Sequence, residues 1–532
     1  MAPPKSIPSG EGIASRTERE CLSDRQPWLP QRDSGTSTAA NLHGGATQPA
    51  MRYRSPLSTY DRLVHKLQER IEEINDGKME TRNDAAGDLS YPVPSRWQAI
   101  IKCLWQSGAI REPKMYFEPL FNDEPKIYSL RLWAASIEGK TDGGTEITGG
   151  GFSRGASLEL EEALSKVIGE FLERYPLLLY RDSELLRASV QQLRTKRRHF
   201  ADPFLLAGPS EEQRHKLPNR QFDEQSIFQW ARGRSLSKNC EALIPAQLIF
   251  WNYRLVPDEP FLQQPITNGA GGYFSHEGAI LSGLYELIQR DAFFTFWFNK
   301  LAPPRVAPSS LQNPASRKIV RDAGRYRIRV EILDITSDLD IPAFVVALLD
   351  TSSEGPAVSV GGGCGPDPEA AILRALTEAM GIRHWLRVHG RYPTLPEPYE
   401  PFSTPLGQLG RVSLWGHPSM REKFNFFLQG PLVHLASRSF TNVPADPAQE
   451  LSRLNALFTN RGSQYEVFYY PAVHPLLQTL SYHSIRVVVP ALLPLYLNET
   501  CAPLGAPRIR EACRAMGYTP AETINTLPHP FP

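Results

Sequence analysis

The chain has 532 residues, is 41% hydrophobic and 10% aromatic, and carries a formal net charge of +1. That balance supports a large apolar core and excludes bulk electrostatic attraction to nucleic acid or a membrane surface; the longest apolar run, VVVPALLPLYL (487–497), is too short to span a bilayer. Six scattered cysteines without a CxxC pair (Cys21, Cys103, Cys240, Cys364, Cys501, Cys513) exclude a disulfide framework or structural zinc and fit a reducing, cytoplasmic setting.

Residues 1–57 are rich in Pro, Ser, Gly, Arg and Thr and predict a disordered extension. Residues 58–94 hold an amphipathic helix, with Leu63, Val64, Leu67, Ile71 and Ile74 on one face, followed by a linker. From residue 95 to 532 the mixed periodicity predicts one large α+β domain. KIYSLRLWAASIE (126–138) and YRIRVEILDI (326–335) alternate as strands do. The basic run RTKRRH (194–199) reads as a solvated helix face.

Three glycine-rich stretches each lead into an amphipathic helix: GGGFSRGASLELEEALSKVIGEFLERY (149–175), NGAGGYFSHEGAILSGLYELIQRDA (268–292) and GGGCGPDPEAAILRALTEAMGIR (361–383). The interval from glycine to acidic residue is similar in the three: Gly155 to Glu170, Gly272 to Glu286, Gly365 to Glu378. Asp367 before Pro368, Ser275 and Ser157 are the expected N-caps. Glu170 and Glu173 share a helix face, as do Glu286 with Gln289 and Arg374 with Glu378. Together with Arg174 and Arg290 they offer oxygen ligands for Mg²⁺ and planar donors for phosphate, and glycine-rich turns let backbone amides approach an anion. There is no GxxxxGK[ST] and no kinase signature set, so a triphosphate site here is not a P-loop. His276 and His384 lack a paired ligand spacing and read as packing or surface residues; Cys364 lacks a visible base and reads as structural.

In order and spacing, KVIGEFLERY (166–175), HEGAILSGLYELIQRDAFFTFW (276–297) and PDPEAAILRALTEAMGIR (366–383) resemble the ATP-site motifs of the YcaO family, and IRVVVPALLPLYLNETCAPLGAPRIREACRAMGY (485–518) resembles its closing segment. The resemblance covers about residues 95–532. It implies a large α+β YcaO-type domain using ATP and Mg²⁺ at a site of Gly-rich turns and acidic helices. Glu170, Glu173, Glu286 and Glu378 would be metal ligands or their neighbours, and Arg290, Arg374, Lys166 and Gln289 would form the phosphate-binding set. Three positions depart from the family pattern. Gln289 stands where glutamate is frequent, Gly381 where glutamine is common, and Lys166 where serine is frequent.

The chain's PHPFP segment (528–532) resembles the PxPxP ending of azoline-forming members. Proline holds it extended, so it can thread into the active site, where the Pro532 carboxylate would orient groups or move protons. Deleting these five residues is expected to abolish cyclisation and leave the fold intact. The implied activity is ATP-dependent cyclodehydration of Cys, Ser or Thr in a ribosomal precursor peptide to thiazoline or oxazoline, as in thiazole/oxazole-modified microcin biosynthesis. The implied partners are the precursor peptide, a leader-binding or ThiF-like protein, and a flavin-dependent dehydrogenase. The alternatives are thioamide or amidine formation, or a non-catalytic ATP-binding scaffold.

Overall fold

A computed structural model describes residues 93–532, apart from 217–220, 353, 405, 439 and 441–445. The expected extension (1–57) and amphipathic helix (60–74) lie outside the described residues. No described helix is long and apolar enough to cross a membrane, and Cys103, Cys240, Cys364 and Cys513 form no disulfide.

Three of the four sheets among the described residues carry the motif units, and each of the three ends in a strand that holds glycine. The first has the order Tyr116–Phe117, Tyr128–Trp133, Phe152–Ser157. The second runs Leu186–Ser189, Ile227–Ser235, Phe468–Ala472, His483–Val488, Ala270–Tyr273, with Cys240–Pro245 paired to Ile227–Ser235. The third runs Val358–Cys364, Ala343–Asp350, Ile328–Asp334, Arg305–Val306, Leu432–Val433. Phe152–Ser157, Ala270–Tyr273 and Val358–Cys364 are therefore edge strands. An unpaired edge must be covered, and each is covered by the helix that follows it: Leu160–Arg174, His276–Phe298 and Pro368–His389.

Gly155, Gly271, Gly272, Gly361, Gly362 and Gly363 stand within these strands rather than in turns, and for Gly155, Gly271 and Gly363 the reason is steric. A Cβ on Gly155 would lie 2.1 Å from the Ala163 carbonyl oxygen, one on Gly271 2.1 Å from that of Ala279, and one on Gly363 2.0 Å from that of Ala371. The helix backbone lies directly on the strand, which only glycine permits. The three contacts also set the register between units. Fifteen residues separate Gly155 from Glu170, Gly271 from Glu286, and Gly363 from Glu378. Gly271→Ala is accordingly expected to cost at least about 2 kcal/mol, because the clash is with backbone rather than a mobile side chain; denaturant unfolding at constant m-value checks this.

Two of the expected caps form. Ser275 Oγ accepts the Gly278 amide, and Asp367 accepts those of Glu369 and Ala370. The third does not: the first helix starts after Glu159 without a side-chain cap, and Ser157 Oγ donates to Glu162 instead at 2.6 Å. Ser157 is paired in the edge strand, two residues too early to cap.

The second motif helix is buried over nearly its whole length and forms the spine of the largest core. The stretch 525–531 lies along it. Asn525 donates its amide to the Phe298 carbonyl at 2.8 Å. Further along, Trp297 Nε1 donates to the Leu527 carbonyl at 3.3 Å and Trp415 Nε1 to that of Pro528 at 3.1 Å. Proline removes backbone donors but not carbonyls, so indole N–H groups satisfy what a sheet would otherwise pair. His529 and Phe531 are both 0% exposed. Removing all five PHPFP residues would thus open the core, contrary to the expectation that the fold would be untouched.

Candidate active site

Each unit places one glutamate at the same point, and a backbone amide of its own strand region holds it. Glu170 accepts the Arg154 amide, Glu286 the Gly269 amide at 2.9 Å, and Glu378 the Gly362 amide at 2.5 Å. Gly269 has φ +85, and a Cβ there would meet the Val487 carbonyl at 2.6 Å, so this turn needs glycine. The carboxylates thus satisfy amides that edge strands leave unpaired, and are themselves held in position.

The arginines interleave. Arg174 pairs with Glu170 at 2.5 Å, one helical turn on. Arg290 Nη2 lies 3.8 Å from Glu286 and 4.0 Å from Glu378, bridging the second and third units. Its guanidinium lies 4.5 Å over the Phe531 ring, whose edge contact with Phe293 spans 4.7 Å. Arg290 Nε and Nη1 are buried without a partner, as is Gln289 Nε2. Arg374 is exposed near the Gly365 turn. Lys166 Nζ reaches the Ala156 carbonyl at 3.2 Å and Thr377 Oγ1 at 3.5 Å, while pairing with Glu162 at 2.8 Å. Pro532 follows the buried Phe531 and is half-buried.

Two further residues belong to this site. Arg154 Nη2 donates to the Gly381 carbonyl at 2.6 Å while its amide holds Glu170. Arg486, in the closing segment, donates Nε to the Leu248 carbonyl at 2.9 Å and leaves a buried Nη1 unpartnered. Burial pulls its guanidinium down to about 10, against the opposing charges of Glu286 and Glu173. The only sequence signal for either was a lone charge in a small-residue or apolar strand.

Burial, reinforced by repulsion among the carboxylates, raises the acids of the site. Burial pushes Glu173 up to about 8; Arg174 opposes the rise, and Glu286 and Glu170 add to it. Burial raises Glu170 and Glu378 as well, and Glu286 adds to both. Among the described residues no three His, Cys, Asp or Glu side chains form a closed metal cage. Mg²⁺ does not need one, since it keeps waters and takes one or two carboxylates plus phosphate oxygens. A divalent cation would relieve this repulsion and a phosphate would engage the orphaned donors of Arg290 and Gln289, so the residues present fit both groups.

Three helices packed on the edge strands of three sheets, each presenting a glutamate beside arginines, define a composite acidic site of the non-P-loop kind. The family model described as YcaO cyclodehydratase, ATP- and Mg²⁺-binding, matches residues 154–493. The chain belongs to the YcaO family. Its fold is similar to that of a heterocyclase solved with substrate and cofactor (TM-score 0.65, 19% identity, covering 82% of this chain and 57% of that one). It is also similar to YcaO from Methanopyrus kandleri, solved with AMPPCP and Mg²⁺ (TM-score 0.51, 16% identity, 75% and 89% covered). An uncharacterised protein of Methanothermobacter thermautotrophicus is 29% identical over 169 residues, and one from the tfuA 3′ region of Rhizobium leguminosarum bv. trifolii 26% over 241. These alignments span 44% and 54% of the two relatives and 32% and 43% of this chain.

Proposed function

We propose that this chain is an ATP-dependent peptide cyclodehydratase. The observation that carries the reading is the junction itself: glutamates from the three motif helices, with Glu286 and Glu378 at 3.8 and 4.0 Å from Arg290 and Phe531 of the PHPFP segment beneath that guanidinium. Glu170, Glu173, Glu286 and Glu378 hold Mg²⁺; Arg290, Arg374, Lys166 and Gln289 hold the phosphates. Bound Mg²⁺ supplies charge neutralisation on the transferring phosphoryl group. A Cys, Ser or Thr side chain of the substrate adds to the preceding backbone amide; the amide oxygen takes the γ-phosphoryl group of ATP, releasing ADP, and then leaves as inorganic phosphate while the amide nitrogen loses its proton, giving a thiazoline or oxazoline. Arg290, already desolvated and braced by an aromatic face, stabilises charge that develops on the phosphoryl oxygens without reorganising. Pro532, one residue beyond Phe531, is the proposed catalytic residue at the reacting end.

The peptide is delivered by a leader-binding or ThiF-like partner, and a flavin-dependent dehydrogenase oxidises the azoline. The test incubates the full chain with precursor peptide, partner and Mg·ATP. The expected result is loss of one water mass per ring, with one phosphate released for each. Phosphate release without a change in peptide mass would sink the reading.

A further inference from the structure

The PHPFP segment repeats every two residues, so its prolines do not fix its register. A slip that draws the end back by two residues would put Pro530 and Pro532 where Pro528 and Pro530 lie. It would also carry Phe531 into the place of His529. The body of the protein grips the preceding residues through their carbonyls: Tyr399 Oη donates to Thr526 at 2.9 Å, beside the indole contacts to Leu527 and Pro528. Every residue carries a carbonyl, so these contacts fit one register as well as the next. The two side-chain positions are what differ.

Those positions are opposite in kind. Consecutive residues of the second motif helix line them: Phe294 meets the His529 ring edge-on at 5.2 Å, and Phe293 meets Phe531 at 4.7 Å. At the first position the polar neighbour is an acceptor. His529 Nε2 lies 2.8 Å from the Tyr496 carbonyl, so it carries the proton and donates it. At the second the polar neighbour is the Arg290 guanidinium, over the Phe531 face. An imidazole suits the first and an aromatic face the second. Exchanged, phenylalanine would leave the Tyr496 carbonyl without its donor, and the imidazole would stand against a cation.

The acceptor is itself held. Tyr496 stacks on Phe294 at 5.2 Å and on Phe298 at 6.3 Å. The next carbonyl, that of Leu497, accepts Arg411 Nη2 at 2.7 Å, and the buried Arg411 pairs with Glu499 at 2.8 Å. Burial, then Arg411 and Arg290, hold the His529 imidazole well below its ordinary pKa, although the hydrogen bond to Tyr496 opposes them. The ring is therefore neutral. Its Nδ1 is buried without a partner among the described residues, so the grip on Tyr496 is through Nε2.

We propose that His529 is a positioning residue: its hydrogen bond to Tyr496 sets the register that places Phe531 beneath Arg290 and Pro532 one residue beyond. The part given to Pro532 rests on the cyclodehydratase reading above; the register does not.

Three variants of the full chain are compared with wild type for azoline formation, as kcat and KM for ATP, and for melting temperature. His529→Gln keeps an N–H close to the reach of imidazole Nε2, and its kcat is expected to stay within about threefold of wild type. His529→Phe keeps a ring and loses the donor. Its kcat is expected to fall about tenfold or more while KM for ATP stays within about threefold. The exchange of His529→Phe together with Phe531→His has the composition of wild type. It is expected to melt lower, to lose turnover at least as far as His529→Phe, and to raise KM for ATP because phenylalanine no longer faces Arg290. Wild-type turnover in His529→Phe, or a His529→Gln variant that turns over no better than it, would overturn the positioning role. An exchanged chain that melts and turns over as wild type does would overturn the register. Phosphate release by the wild type without azoline formation would overturn the cyclodehydratase reading alone, and the melting comparison would then decide the register.

Discussion

Glu286→Gln is expected to weaken Mg·ATP binding about 10²-fold or more and to leave the metal-free fold at least as stable as wild type. Glu286 adds to the raised pKa of Glu170, Glu173 and Glu378 and opposes the fall of Arg486, so it is the electrostatic centre of the cluster. The amide side chain keeps an oxygen for the Gly269 N–H and removes one negative charge. Without metal, that removal relieves repulsion among buried carboxylates. With metal, it deletes a ligand charge that no neighbour can replace, since Gln289 is already neutral. Thermal or denaturant unfolding with and without Mg·ATP reads both effects. At a ligand concentration of about 100 Kd the wild type should gain about 2.7 kcal/mol. A variant bound about 100-fold more weakly gains about 0.4 kcal/mol at the same concentration. A ligand-induced gain equal to that of wild type would show that Glu286 does not hold the metal.

The helices and their glutamates were legible because the elements are local: an apolar helical repeat with ExxER or ExxQR on one face signals itself within one turn. The glycines were legible as a group but not in their role. Their spacing from the glutamates looked approximate until Gly155, Gly271 and Gly363 emerged as the strand positions under the helix backbone. That contact is tertiary, and it turns similar intervals into identical ones. Arg154 and Arg486 were not legible. Each sits in a strand whose partners lie far away in sequence; the Arg154–Gly381 hydrogen bond, for instance, spans 227 residues. The contact between Arg290 and Phe531 was likewise beyond sequence reading, because it depends on how residues 525–531 run back along the second motif helix.

Deletion of Pro532 alone is expected to lower azoline formation about 10²-fold or more while Mg·ATP binding stays within about threefold, because misplacing a group at the reacting end affects turnover rather than ground-state binding. Pro532 is only half-buried, so little core is lost with it. Phe531→Ala makes the contrast. That ring is fully buried between Phe293 and the Arg290 guanidinium, and truncating it leaves a cavity worth about 3–5 kcal/mol. It also removes the aromatic face that braces Arg290, so nucleotide binding should fall together with stability. Phe531→Leu restores much of the apolar volume without the π face, and should recover stability more fully than it recovers nucleotide affinity. The pair divides the segment's roles. A variant lacking Pro532 that turns over normally, beside a Phe531→Ala variant that loses nucleotide binding, would leave PHPFP as a brace for Arg290 and remove Pro532 from the chemistry. Loss of turnover with nucleotide binding retained in the Pro532 deletion places the end of the segment at the reacting atoms, with Phe531 as the anchor that holds it there.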